Sequence, residues 1–143
     1  MKIRKLETES DMAMGFRVLK ELRKEITEGE FQTVFQKASE MDGYTMVGAF
    51  IDNELIAVMG YRFLFDFVRK KHLYIDDLVT TESMRSKGIG SKLLKYAENV
   101  ALDQQCSVVR LCAHIDNKSG QNFYERELWN RRSIAYQKIP SSS

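Results

Sequence analysis

Proline is almost absent from this chain: Pro140 is the only one in 143 residues. No stretch is rich in Gly and Ser, so nothing marks a flexible linker. Residues 1–140 are therefore expected to form a single domain, with Ser141, Ser142 and Ser143 as a frayed tail. Cysteine is scarce as well. Cys106 and Cys112 are the two present, and no histidine stands near them in zinc-ligand spacing. This argues against a disulfide framework and a metal site, and predicts two reduced, mostly buried thiols. No apolar run reaches the roughly 18 residues that a membrane span needs. The opening Met1-Lys2-Ile3-Arg4-Lys5-Leu6-Glu7 is basic but has no apolar stretch behind it, unlike a signal peptide. The expected location is the cytoplasm, with no membrane partner. Charge of one sign is also lacking. A formal net charge of +2, without an arginine-rich run interleaved with aromatics, argues against a nucleic-acid partner. No internal repeat is visible.

What is present suits a globular domain. Hydrophobic residues make up 43% and charged residues 29% of the chain. A domain of this size buries about 68–70% of its unfolded surface, enough for a core without staples. Ile3 to Leu6 reads as a short strand. Glu9 to Arg23 reads as a helix, with Met12, Phe16, Leu19 and Leu22 on one face and Gly15 weakening it slightly. Glu28 to Met41 reads as a second helix, with Phe31, Val34, Phe35 and Ala38 inside and Gly43 as its stop. Tyr44 to Ile51 and Leu55 to Phe65 read as an antiparallel hairpin turning at Asp52-Asn53-Glu54. Asp66 to Lys71 is charged and reads as a loop, and His72 to Thr80 as the fourth strand.

Gly88 to Gln104 carries a helical stripe of Ile89, Leu93, Leu94, Ala97, Val100 and Ala101. Ser107 to Ile115 reads as a strand covered on both faces. Lys118 to Leu128 reads as a helix capped by Asp116 or Asn117, and Ser133 to Ile139 as a last strand. Helices and strands mix without strict alternation. The predicted class is α+β: a mixed, largely antiparallel sheet of six to seven strands with helices on both faces.

The chemistry concentrates between Leu73 and Leu94. A strand ends near Thr80, a short polar stretch follows, and Arg85-Ser86-Lys87-Gly88-Ile89-Gly90 leads straight into an amphipathic helix. The first turn of a helix presents amides with no internal partner, and the aligned peptide dipoles add positive potential. That combination binds phosphate. Glycine at 88 and 90 lets phosphate oxygens approach the backbone. Arg85 and Lys87 add cations, Ser91 a hydroxyl, and Lys92 a charge at the rim. A P-loop would need a longer glycine loop ending in Gly-Lys-Ser or Gly-Lys-Thr. A dinucleotide fingerprint would need Gly or Ala where Leu93 stands.

This segment resembles the acetyl-CoA site of the GNAT superfamily of N-acetyltransferases, which has Arg or Gln, two residues, Gly, one residue, then Gly or Ala between its fourth strand and the next helix. A second match lies downstream. Asn117-Lys118-Ser119-Gly120-Gln121-Asn122-Phe123-Tyr124-Glu125 is similar to the family's Asn followed by a Phe-Tyr pair. The close resemblance covers residues 72 to about 130. The earlier residues match only in their order of elements.

The resemblance implies a GNAT-like acyl-CoA N-acyltransferase fold with acetyl-CoA as co-substrate, no metal, an amine acceptor and a homodimer. Arg85, Ser86, Lys87, Gly88, Ile89, Gly90 and Ser91 would hold the pyrophosphate. The backbone of Leu78, Val79 and Thr80 would pair with the pantetheine arm like an added strand. A slot for the thioester would open between Leu78–Thr80 and Leu111–Ala113. Asn117 would bond the pantetheine, cap its helix, or both, with Phe123 packing on the cofactor side. Tyr124 is the expected acid for the thiolate leaving group. For the base, Asp76 and Asp77 stand in an otherwise apolar strand, where neighbours face opposite ways and bare carboxylates are costly. Asp77 is favoured, with His72 and His114 as alternatives.

Tyr61, Phe63, Phe65 and Phe67 alternate and are expected to form one buried sheet face, or else to line an acceptor pocket. Arg62, Glu25, Glu28 and Glu30 are expected on a solvated face. The family's Gly-aromatic step after the Phe-Tyr pair is missing, and Asn130 is expected to supply the left-handed residue. The expected activity is direct acetyl transfer to a primary amine in a ternary complex. The alternative is a non-catalytic acyl-CoA-binding sensor or partner subunit.

Overall fold

A computed structural model describes residues 1–142; of the expected tail, Ser143 lies outside them. The elements run β1 (Lys2–Lys5), α1 (Glu9–Leu22), α2 (Glu28–Asp42), β2 (Thr45–Ile51), β3 (Glu54–Asp66) and β4 (Lys70–Thr80). A single 3-10 turn (Glu82–Met84) follows, then α3 (Ile89–Asp103), β5 (Val109–Leu111) and α4 (Lys118–Arg126). The chain falls into two compact units, one ending at Leu111 and the other starting at Cys112.

Local chemistry sets the boundaries. α1 opens on a capping box: Asp11 N–H donates to Thr8 Oγ1, and the Asp11 carboxylate accepts from Thr8 N–H. Thr27 and Glu30 repeat the device at α2. α2 stops at Gly43, whose φ of 67° is left-handed. Asp52 and Asn53, with φ of 51° and 67°, make the two-residue turn from β2 to β3.

Five strands form one sheet in the order β1-β2-β3-β4-β5, antiparallel except for the parallel β4–β5 pair. The α+β class and mixed, largely antiparallel sheet are as expected, but the described residues give five strands, not six to seven. The strand expected over 107–115 shrinks to Val109–Leu111. Residues 133–139 join no ladder, and Ile134 and Tyr136 are exposed. Alternating apolar residues only say which side chains could share a face. A strand also needs a neighbour with free peptide groups at the right spacing.

The first unit packs the sheet on both faces. Met46, Phe50, Val58 and Val79 are buried with Leu6, Val18, Leu19 and Phe31 from the side of α1 and α2. Val47, Ala49, Ala57 and Met59 have the opposite parity on the same strands and are fully buried. Leu93, Leu94 and Ala97 of α3 supply the buried face that packs on β3, β4 and β5. Val34, expected inside, is exposed, because α2 buries only Phe31 fully. Cys106 is half-buried and Cys112 exposed, so the expectation of two mostly buried thiols fails at Cys112, which follows the end of β5. Among the described residues, no helix is long and apolar enough to cross a membrane.

Asp11 is a buried carboxylate at the start of α1. It accepts from Arg4 Nη1 and Nη2 at 2.8 and 3.0 Å and from the amides of Glu7 and Thr8. The Arg4 guanidinium, helped by those amides, holds it far below the usual carboxylate range despite burial. A carboxyl depressed on folding contributes stability above its unfolded value of about 3.9, and that contribution fades as pH falls. Asp11→Asn is expected to lower stability at pH 7 by about 1–3 kcal/mol. It should also flatten the loss of stability below about pH 4, as urea unfolding across pH would show.

Candidate active site

β4 carries the site in the first unit. Its pairing with β5 covers only Leu73, Tyr74 and Ile75, opposite Val109, Arg110 and Leu111. Beyond Ile75 no strand pairs with that edge among the described residues, while β3 still pairs the other edge as far as Thr80. Leu78, Val79 and Thr80, the residues expected to meet a pantetheine arm, lie in this one-sided stretch.

The turn after β4 is pinned to α1. The Glu21 carboxylate accepts from Thr81 Oγ1 at 2.5 Å and from the Glu82 amide at 2.9 Å. Arg85 Nε donates to the Thr80 carbonyl at 3.1 Å, and its Nη2 lies 3.8 Å from Glu21. Arg85 is thus folded back on the foot of the loop, still half exposed. Lys87 is exposed. Ser86 (φ 63°) and Gly88 (φ 80°) are both left-handed, which turns the chain sharply into α3. Gly88 is the N-cap, without a side-chain cap, and the first turn of α3 holds no acidic residue. The cap has no side chain of its own to bond the leading amides and the first turn adds no carboxylate, as suits a phosphate site.

The two carboxylates of β4 are explained by a register slip. Gly60 stands opposite Asp77, but Tyr61 stands opposite Ile75, so Asp76 is an extra residue bulged out of the ladder. The strict alternation expected for Asp76 and Asp77 does not apply at a bulge. Asp76 accepts from Arg62 Nε and Nη2 at 2.8 and 2.9 Å. Burial pushes its carboxyl above the ordinary value, with Arg62 pulling the other way. Arg62, expected on a solvated face, is thus a partner of β4. Asp77 accepts from Arg23 and from the Tyr44 hydroxyl. Arg23 and Tyr44 were not legible as site residues; the one hint was a glycine inside the third strand.

His72 is buried near the hairpin end of β4, its Nδ1 3.0 Å from the Lys70 carbonyl. The aromatic run is not one buried face. Tyr61 is buried, Phe63 half-buried, and Phe65 and Phe67 are exposed, because β3 and β4 extend beyond the end of β2.

The second unit holds Asn117, Phe123 and Tyr124. Asn117 is the N-cap of α4, and its Oδ1 accepts from Gly120 N–H at 3.0 Å. Tyr124 lies against Phe123 and Trp129, with ring centroids 5.2 and 6.0 Å away. Burial pushes its phenol above the ordinary value. His114 Nδ1 accepts from the Asp116 amide in the same unit. α4 ends before the expected Leu128. The left-handed residue there is Leu128 (φ 68°), not Asn130, since the Trp129 amide bonds back to the Tyr124 carbonyl and the reversal must fall between them.

The model of the acetyltransferase (GNAT) family matches residues 12–128, and the chain belongs to that family. It is 26% identical over 122 residues to the uncharacterized N-acetyltransferase YhdJ of Bacillus subtilis (strain 168), covering 85% of this chain and 86% of that one. It is 34% identical over 65 residues to thialysine N-epsilon-acetyltransferase of Bos taurus, covering 46% of this chain and 38% of that protein. The crystal structure of glucosamine-6-phosphate N-acetyltransferase from Arabidopsis thaliana superposes with a TM-score of 0.74 at 27% identity, over 96% of this chain and 97% of that one.

Leu128 gives a test of the local geometry. A left-handed conformation costs a non-glycine residue about 1–2 kcal/mol, whereas glycine loses about 0.5–1 kcal/mol in chain entropy. Leu128 is exposed, so little packing is lost. Leu128→Gly should therefore gain about 0.5–1 kcal/mol in chemical denaturation.

Proposed function

We propose that the protein is an acetyl-CoA-dependent N-acetyltransferase that passes the acetyl group directly to a primary amine in a ternary complex. One conjunction carries the reading: a strand whose edge beyond Ile75 no described strand pairs leads, through a 3-10 turn and a short loop, to a helix opened by a left-handed glycine. The open edge offers peptide groups to an extended arm, and the helix start offers amides to a diphosphate. In this reading Arg85, Ser86, Lys87, Gly88, Ile89, Gly90 and Ser91 hold the diphosphate. Leu78, Val79 and Thr80 pair with the pantetheine arm.

When bound, acetyl-CoA supplies an acetyl group already activated as a thioester. Asp77 takes a proton from the acceptor's ammonium, directly or through a water. The amine nitrogen then bonds to the acetyl carbon as the carbon–sulfur bond breaks. Tyr124 gives its phenolic proton to the departing sulfur, and the second proton of the amine nitrogen, shed as the amide forms, returns to the phenolate through solvent. The phenol carries its proton at neutral pH and so can donate it, while burial makes it a more reluctant acid. Thialysine and glucosamine-6-phosphate, the acceptors in the relatives' names, support a small molecule with a primary amine as the acceptor class.

Thiol release from acetyl-CoA with thialysine and glucosamine-6-phosphate tests the reading. Tyr124→Phe is expected to lower kcat about 100-fold, with acetyl-CoA affinity by calorimetry unchanged. Gly88→Val should weaken acetyl-CoA binding about 10-fold or more, since valine resists the left-handed conformation. Acetyl-CoA binding without turnover of any amine would make the protein a non-catalytic acyl-CoA sensor or partner subunit.

A further inference from the structure

Gly60 leaves a notch in the middle of β3. It stands between Met46 on β2 and Asp77 on β4. Directly opposed residues of an antiparallel pair project to the same face, so a side chain at 60 would stand beside Asp77. Tyr44 fills that place. A Cβ on Gly60 would lie 1.7 Å from the Tyr44 hydroxyl oxygen and 2.3 Å from its Cζ. The phenol crosses the notch and donates to Asp77 Oδ2 at 2.8 Å.

The other oxygen is held from α1. Arg23, which closes that helix, donates from Nη2 to Asp77 Oδ1 at 3.0 Å and to the Asp76 carbonyl at 3.2 Å. The two donors differ in stiffness. The Arg23 side chain is 51% exposed and ends a long flexible stem. Tyr44 follows the left-handed Gly43, bonds its amide to the Ala38 carbonyl at 3.1 Å, and packs edge-on against Phe35. Burial beside Asp77 pushes its phenol far above the ordinary value, so the hydroxyl remains a donor. Asp76 is held separately, both its oxygens accepting from the Arg62 guanidinium.

We propose that Tyr44 is a positioning residue for acyl transfer: through the notch at Gly60 it fixes the direction of the Asp77 carboxylate. An ionised carboxylate has about four lone-pair sites. Arg23 gives Oδ1 two N–H groups, from Nε at 3.3 Å and Nη2 at 3.0 Å, and Tyr44 gives Oδ2 one O–H, so the lone pair left on Oδ2 keeps a set direction. With Arg23 alone, the carboxylate pivots about a half-exposed guanidinium. The proposal rests on the reading of Asp77 as the group that accepts the ammonium proton.

The test uses Tyr44→Phe, Asp77→Asn and the double variant of the full chain. Steady-state rates are measured with acetyl-CoA and whichever of thialysine and glucosamine-6-phosphate the wild type acetylates. Asp77→Asn is expected to lower kcat about 100-fold. Tyr44→Phe should lower kcat about 10-fold, with KM for both substrates nearly unchanged, because the loss is one of orientation. The double variant should be no slower than Asp77→Asn alone, since a hydroxyl acting through Asp77 has nothing left to act on. Full rate in Tyr44→Phe beside a slow Asp77→Asn would overturn the proposal and leave the base assignment standing. Multiplying losses in the double variant would also overturn it. Full rate in Asp77→Asn would remove the base assignment itself, and a wild type idle with both amines would remove the transferase reading beneath it. If Tyr44→Phe folds poorly, 3-fluorotyrosine at position 44 keeps the ring and alters donor strength, and a kcat change confined to proteins with Asp77 intact is then expected.

Discussion

The site depends on one constraint: β4 is held on both sides from Leu73 to Ile75 and, among the described residues, on one side only after it. Up to Ile75 the strand is an interior member of a twisted sheet, with its direction fixed by two ladders. Beyond that point it is still braced by β3 but presents an open edge. The bulge at Asp76 sits at this change. A bulge bends its strand and raises the local twist, which separates β4 from a straight neighbour. The same feature places two carboxylates where a regular strand would tolerate neither, and brings a guanidinium to each.

The loop that follows depends on this strand for its aim. Glu21 of α1 ties down Thr81 and Glu82, so the turn cannot swing away from the end of β4. Ser86 and Gly88 then reverse the chain twice before α3 begins. α3 is anchored by Leu93, Leu94 and Ala97, all fully buried. An uncapped helix start is normally a weak point, because its amides lose water without gaining partners. Here the buried stripe of α3 offsets that cost.

Much of this was legible in the sequence, for physical reasons. The helices were visible because burial on one face imposes a period near 3.6, and the boundaries of α1, α2 and α3 fall within a residue or so of the expected ones. The entry to α3 was visible because glycine at 88 stands just ahead of the apolar stripe that marks the helix. What failed was pairing. Val109–Leu111 and residues 133–139 carry similar apolar patterns, yet only the first has a ladder. The bulge was equally invisible, since register belongs to two strands together. Tyr44 and Arg23 were missed because their partners lie 33 and 54 positions away and no local pattern records such distances.

The margins of the sheet have a bearing on how the protein behaves in a crowded solution. A long, flat, apolar border invites a foreign chain to continue the ladder, which is how many aggregates begin. β1, on one border, has four residues, three of them Lys or Arg. β5, on the other, is only three residues long and has Arg110 at its centre. Neither offers a template of useful length without repelling charge, so neither border invites a stray polypeptide to extend the sheet.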